Sequence, residues 1–151
     1  MANRSTETRI ADTISRLESE EDVWIATASA EGAPHLIPLS LAWDGSRILL
    51  ATPPDSPTAR NIVATGRARA SLADTDDVVI IVASAIVTPF EQTPGDVVEF
   101  FVEAAGWDPR RQAGRWSLLT LTPEMIHAWK GEPELVGRTI MRDGAWASSV
   151  Y

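Results

Sequence analysis

One stretch, residues 48–72, constrains the fold more than any other; its sequence is ILLATPPDSPTARNIVATGRARASL. It predicts an apolar strand over Ile48–Ala51, a proline-rich turn, a short helix over Ser56–Thr65 and a second strand from Arg67. Ser56 is a favourable N-cap residue, and a proline follows it at the first helical position, where a missing N–H costs nothing. The stretch therefore predicts a strand, turn, helix and strand in sequence.

The start of this helix suits an anion. The backbone N–H groups of Thr58, Ala59 and Arg60 in its first turn are expected to lack intrahelical partners, and they carry the positive end of the helix dipole. Three hydroxyls and one guanidinium lie nearby in the sequence, a donor set that suits a phosphate monoester: those of Thr52, Ser56, Thr58 and Arg60. The same pattern also occurs in domains that bind nothing at the turn, so both interpretations stay open.

The remaining pattern predicts one domain spanning residues 1–151. Within an N-terminal segment, residues 1–21, helical spacing places Leu17 on an apolar face and Arg9 on the opposite, solvated face. Strands are predicted over Val23–Ser29, Pro34–Trp43, Ile48–Thr52, Arg67–Asp74, Val78–Val87, Trp116–Thr122 and Met125–Trp129. Another helix starts near Thr93 and ends at Gly106. Short turns between most strands favour an antiparallel barrel with flanking helices over a parallel sheet.

Two further features bear on a site. Pro38 lies inside a predicted strand, where it cannot donate to a ladder, so it marks an edge or bulge against which a planar ligand could lie. Of six tryptophans, Trp24 and Trp43 are predicted in the core. The other four lie in the C-terminal third, where they suit a subunit interface or the cover of an aromatic ligand: Trp107, Trp116, Trp129 and Trp146.

Composition excludes several functional classes. A net charge of −8 argues against nucleic-acid or anionic-membrane binding. The chain has no cysteine, which excludes disulfides, zinc–thiolate sites and thiol catalysis. His35 and His127 lack metal-ligand spacing, so we expect neither a metal site nor a catalytic acid–base residue. Because the N-terminus has no apolar leader core, we expect a cytoplasmic protein.

At this point a family pattern is recognisable in residues 24–72. The Gly-x-Pro-His-x-x-Pro strand at Gly32–Pro38, the Asp44-Gly45 hairpin, and a threonine before the Ser-x-x-x-Arg-Asn helix start resemble the pyridoxamine 5′-phosphate oxidase-like split-barrel superfamily. This superfamily comprises flavin- and deazaflavin (F420)-dependent oxidoreductases. The closing stretch, with Gly137-Arg138-Thr139 and Arg142-Asp143-Gly144-x-Trp, also looks like actinobacterial members.

The resemblance implies a six-stranded antiparallel split β-barrel that forms a homodimer, with the cofactor at the dimer interface. By position, the cofactor phosphate would be surrounded by Thr52, Ser56, Thr58, Arg60 and Asn61, and the ring would lie along Pro38, Leu39 and Ser40. The chain departs from many relatives at Thr58, where they carry a lysine. Residues 131–151, from Gly131 to Tyr151, are expected to form a loop-rich tail that packs on the barrel or on a partner.

These expectations together indicate an oxidoreductase that transfers hydride to or from a small organic substrate. FMN is the favoured cofactor, because a single phosphate suits hydroxyls and one arginine better than a long acidic tail does. Coenzyme F420 is the alternative. A non-catalytic flavin-binding protein and a structural dimer without a working site also remain open.

Overall fold

The computed structural model describes residues 3–148, which form three α-helices and nine β-strands. The helices are α1 (Thr6–Ser19), α2 (Pro57–Thr65) and α3 (Gly95–Ala105). The strands are β1 (Asp22–Ala28), β2 (Pro34–Ser40), β3 (Ala42–Trp43), β4 (Ile48–Thr52), β5 (Arg67–Ser71), β6 (Asp77–Pro89), β7 (Ser117–Lys130), β8 (Thr139–Arg142) and β9 (Ala145–Trp146). None of the described helices is both long and apolar enough to cross a membrane.

The strands form one antiparallel sheet that curls on itself. Its order is β2-β1-β5-β6-β7-β4-β3, and β8 adds to β7. The strands β2 and β3 are two parts of one extended segment that is interrupted at Leu41. The strand order therefore begins and ends on the same segment, which closes the sheet into a barrel. Counting that segment once, six strands surround the core. The predicted six-stranded antiparallel split barrel is confirmed.

The barrel interior holds the main core. Inward-facing residues of the six strands pack there with Leu17 of α1 and with Ala59 and Ile62 of α2. These three helix residues are each 2 % exposed or less. A second cluster lies between α3 and the outer side of β3, β4 and β7, and Phe101 at its centre is fully buried. The helix α2 thus belongs to the core, which fixes the β4–α2 corner relative to the barrel.

The outer face of β1, β2 and β6 carries exposed apolar side chains. Trp24, Leu36 and Ile86 are 41 %, 60 % and 62 % exposed. The prediction that Trp24 lies in the core is therefore wrong. Strand alternation turns Val23 and Ile25 inward, so the residue between them must point outward. Trp43, by contrast, is buried as predicted.

The two predicted late strands are one strand, β7. Pro123 does not end it, because Ala83 of β6 pairs with Pro123 while Val82 pairs with Met125, which leaves Glu124 as an extra residue. This is a β-bulge, one of the few places where a sheet accepts a proline without losing a ladder bond.

The C-terminal tail is more regular than predicted. Residues 139–146 form the hairpin β8–β9, and β8 pairs with β7 at Ile126 and His127. Its turn is Asp143-Gly144, with φ of 52° and 75°. The tail prediction extended to Tyr151, which lies outside the described residues.

The helix α1 carries a buried arginine on the side predicted to be solvated. Arg9 is 7 % exposed, and its Nη1 donates to the carbonyl oxygens of Ala128 and Gly137 at 3.2 and 2.9 Å. The predicted orientation of Arg9 is therefore wrong. A long side chain allows this, because its methylene stem packs on apolar neighbours while its head reaches distant carbonyls.

Candidate functional site

The β4–α2 corner is built by two hydroxyls. Thr52 is the last residue of β4, and its Oγ1 lies 3.0 Å from Ser56 Oγ. Ser56 is the N-cap of α2, and its Oγ accepts a hydrogen bond from the Ala59 N–H at 3.1 Å. The predicted cap is thus in place, and it couples the strand end directly to the helix start.

The same corner offers fewer free backbone donors than predicted. The Ala59 N–H is used by Ser56 Oγ, and the Arg60 N–H donates to Ser56 O at 3.0 Å. Among residues 3–148, only the Thr58 N–H of these three has no acceptor. The prediction of three free N–H groups is therefore wrong, because an N-cap side chain and the first helical bond use two of them.

Thr58 points into the protein. Its side chain is fully buried, and its Oγ1 has no hydrogen-bond partner within the described part of the chain. Buried hydroxyls normally have a partner, so this oxygen is an unused polar group at the corner. A phosphate outside the helix would meet the Thr58 N–H before it met the side chain.

Arg60 and Asn61 differ in what they contact. Asn61 Nδ2 donates to Oγ1 of the buried Thr27 in β1 at 3.1 Å, so its amide holds α2 against the barrel. Arg60 is exposed on α2, and no carboxylate within residues 3–148 lies within salt-bridge distance of its guanidinium. Arg60 is therefore the cation available beside the corner.

A groove of about 340 Å³ lies next to this corner. Its walls include Pro38, Leu39, Ser40 and Thr52, four residues predicted to contact the cofactor. The structure thus brings the predicted ring-binding strand and the end of β4 together. Thr58, Arg60 and Asn61 do not line the groove, and Ser56 reaches it through its hydrogen bond with Thr52.

Pro38 lies on an edge strand, as predicted. It pairs with Trp24 in β1, and β2 ends the path of the sheet. Because proline has no N–H, this edge cannot take another strand in a full ladder at that point. The groove opens beside it.

Two of the four tryptophans in the C-terminal third, predicted to form a subunit interface or to cover an aromatic ligand, line the groove. Trp107 and Trp116 line it from the segment between α3 and β7, and their ring centroids are 5.1 Å apart in an edge-on contact. The Trp107 Nε1–H is buried and has no partner among the described residues. Asp22, Ala51 and Pro53 also line the groove and were not predicted. The sequence signal for Ala51 and Pro53 was that they flank Thr52, and Asp22 had none beyond its position at the start of β1.

His127 lies away from the groove. It is on the outer side of β7, where its Nδ1 is 3.1 Å from Thr139 Oγ1. Burial, reinforced by the nearby guanidinium of Arg138, lowers the pKa of His127 below its usual value. The imidazole is therefore neutral at neutral pH, and it does not line the groove.

The family model described as pyridoxamine 5′-phosphate oxidase matches residues 13–130. The chain belongs to this family. The match begins inside α1 and ends with β7, so it contains the corner, Pro38 and both groove tryptophans. No curated protein matches the chain in sequence.

Solved structures with this family's fold include proteins of different function. An F420 reductase is 18 % identical, with a TM-score of 0.60, covering 74 % of this chain and 93 % of its own. An FMN-binding protein from Nostoc punctiforme is 16 % identical, with a TM-score of 0.60 and coverage of 86 % and 87 %. HutZ, the heme storage protein from Vibrio cholerae, is 15 % identical, with a TM-score of 0.61 and coverage of 80 % and 95 %. At these identities the likeness concerns the fold.

Proposed function

We propose that this chain is a flavin-dependent oxidoreductase that binds FMN in the groove and exchanges hydride with a small organic substrate. One observation carries the proposal. The edge-strand residues Pro38, Leu39 and Ser40 share a groove with Thr52, which is hydrogen-bonded to the N-cap of α2. A planar ring and a phosphate need such neighbouring sites.

The residues present fit FMN. Thr52, Ser56, the Thr58 N–H and the exposed Arg60 form a donor set of the size that one phosphate monoester needs. The unpartnered Trp107 Nε1–H offers a further donor at the groove wall, and a buried N–H without a partner is costly until one is supplied. The apolar walls from Pro38 and Trp116 suit an aromatic ring.

The chain's own contribution would be binding, orientation and exclusion of water. Bound flavin supplies the hydride chemistry, as cofactors of this type do. Ser56 and Thr52 would hold the phosphate end, and the backbone of residues 38–40 would orient the ring. Trp107 and Trp116 would exclude water from the groove. No side chain is required to act as a general acid or base.

FMN is favoured over coenzyme F420. The corner offers one cation, Arg60, and one free first-turn N–H, whereas the acidic tail of F420 calls for several cations. The family similarity to an F420 reductase keeps F420 as the alternative cofactor.

The second candidate function is non-catalytic flavin binding. The likeness in fold to HutZ, a heme storage protein, supports it. The two functions are separated by turnover: FMN-loaded protein is offered a chemical or enzymatic reductant together with quinone, nitro or enone acceptors. Catalysed reduction of an acceptor above the rate with free FMN supports the oxidoreductase. Flavin that stays bound without turnover favours storage.

We also propose that the protein is a homodimer formed through the outer face of β1 and β2, which carries the exposed Trp24 and Leu36. Trp24 pairs with Pro38, so the exposed apolar face is continuous with the groove. Large exposed apolar patches mark interaction sites. A partner covering this face would also close the open side of the groove.

Replacing Leu36 by aspartate is expected to convert the dimer to a monomer, because it places a charge on the apolar face, where the partner would bury it. Sedimentation velocity measures the change. Val63→Asp is the matched control, since Val63 is 74 % exposed and belongs to α2, not to these strands. A monomeric wild-type protein, or equal dissociation of the two variants, would rule the proposed interface out.

A further inference from the structure

A second pocket adjoins the groove across Trp116. Its volume is about 460 Å³, larger than that of the groove, and Trp116 belongs to the walls of both. The pocket is formed by the residues around the start of β7 together with the turn Phe90–Gln92. No step of the proposed cofactor binding uses it.

The floor of this pocket is apolar and aromatic. Phe90 and Pro109 are buried, and Trp116 is partly exposed. Phe90 packs edge-on against Phe101 with centroids 6.0 Å apart, and Trp116 is held by its contact with Trp107. The Trp116 Nε1–H donates to Ala113 O at 3.3 Å, so the indole N–H is already used. The floor is therefore a pre-formed surface for a flat apolar group.

The rim of the pocket carries two guanidiniums in different states. Arg110 is occupied by Glu99 and Asp108, each at 2.9 Å. Arg115 is 79 % exposed and forms a salt bridge at 3.6 Å with Glu91, which also lines the pocket. This distance is beyond that of a hydrogen bond and both side chains are exposed, so the pair is weak and a ligand carboxylate can replace Glu91 as the partner of Arg115.

We propose that this pocket binds a planar aromatic carboxylate. The ring would lie against Phe90 and Trp116, and the carboxylate would accept two parallel hydrogen bonds from the forked Arg115 guanidinium. Trp116 separates the pocket from the groove, so such a ligand would lie on the opposite side of that indole from the proposed flavin site. Its binding does not rest on the proposed function.

The test is calorimetric titration of the cofactor-free, full-length protein with 2-naphthoate. We expect saturable binding, a loss of about tenfold in affinity in Arg115→Gln, which corresponds to about 1.4 kcal/mol, and clearly weaker binding of the neutral 2-naphthalenemethanol. Arg111→Gln is the matched control, because Arg111 is in the same segment and does not line the pocket.

Three results would overturn the proposal: no binding of 2-naphthoate by the wild-type protein, equal losses in the Arg115 and Arg111 variants, or equal affinity for the neutral analogue. Since no flavin is present, failure here leaves the cofactor proposal untouched. Failure of FMN to bind would likewise leave this site standing.

Discussion

Replacing Glu134 by glutamine is expected to lower the free energy of unfolding by about 3 kcal/mol, the size of effect seen when one partner of a buried ion pair is removed. The Glu134 side chain is 4 % exposed. It accepts hydrogen bonds from Arg4 Nη2 at 2.8 Å and from the backbone N–H groups of Arg4 and Lys130 at 2.8 and 2.7 Å. Glutamine keeps the shape and removes the charge.

This carboxylate joins the segment before α1 to the turn after β7. Arg4 precedes α1, and Glu134 lies in the turn after β7. Arg4 also pairs with Asp12 and Asp77, each at 3.0 Å. The Arg4 side chain is only 15 % exposed, so loss of the Glu134 charge leaves its guanidinium largely buried without its closest anionic partner. The measurement is chemical denaturation at neutral pH, with Glu132→Gln as control, since Glu132 is exposed in the same turn.

The pH dependence of the free energy of unfolding should also show the effect of the Arg4–Glu134 ion pair. Hydrogen bonds from Arg4 lower the pKa of Glu134 from 4.5 to about 2. A carboxyl with a lowered pKa in the folded state contributes stability above its unfolded pKa and loses it as the pH falls toward the folded value. The Glu134→Gln variant should therefore lose stability less steeply than the wild type between about pH 4.5 and 2. Equal slopes would contradict the assigned ion pair.

Replacing Ser56 by aspartate is expected to weaken FMN binding at least about tenfold, the factor that corresponds to about 1.4 kcal/mol. Aspartate is as good an N-cap as serine, so α2 should keep its start and the protein its stability. Its carboxylate would sit where the proposal places the phosphate, and two anions at one helix start repel. Fluorescence titration with FMN measures the loss.

Two controls make this test specific. Riboflavin has no phosphate, so its affinity should be the same in wild type and Ser56→Asp. Ser5→Asp makes the same substitution at the N-cap of α1, whose Oγ accepts from the Thr8 N–H, and it should not change FMN affinity. If riboflavin binding falls as much as FMN binding, the phosphate is not at the α2 corner.

The corner and the barrel were predictable because local rules determine them. Ser56 followed by Pro57 is typical of a helix start, with the serine as N-cap and the proline at the first helical position. Gly66 ends α2 in the left-handed conformation expected of a helix C-cap. The hairpin β8–β9 was predicted as part of a loop-rich tail, although the same kind of rule applies to its turn. Asp143-Gly144 is as strong a turn signal as Asp44-Gly45, but the strands it joins are only four and two residues long.

The remaining site features depend on contacts distant in sequence. Thr58 turns inward because Ala59 and Ile62 on the same helix pack into the barrel. The Asn61 amide donates a hydrogen bond to Thr27, which is 34 residues away in sequence. Arg9 donates to backbone carbonyls that are more than a hundred residues away. No local pattern encodes such partners. The groove tryptophans, in contrast, were suggested by their grouping, and the structure brings two of the four together there.

The central claim is that the groove beside Pro38 and Thr52 holds a flavin. The most direct test is titration of the purified full-length protein with FMN and separately with F420, following tryptophan quenching and cofactor fluorescence. Trp107 and Trp116 line the groove, so a bound ring should quench them strongly. We expect saturable binding of FMN that is tighter than that of F420. Binding of neither cofactor would contradict the account and leave a structural or partner-binding role.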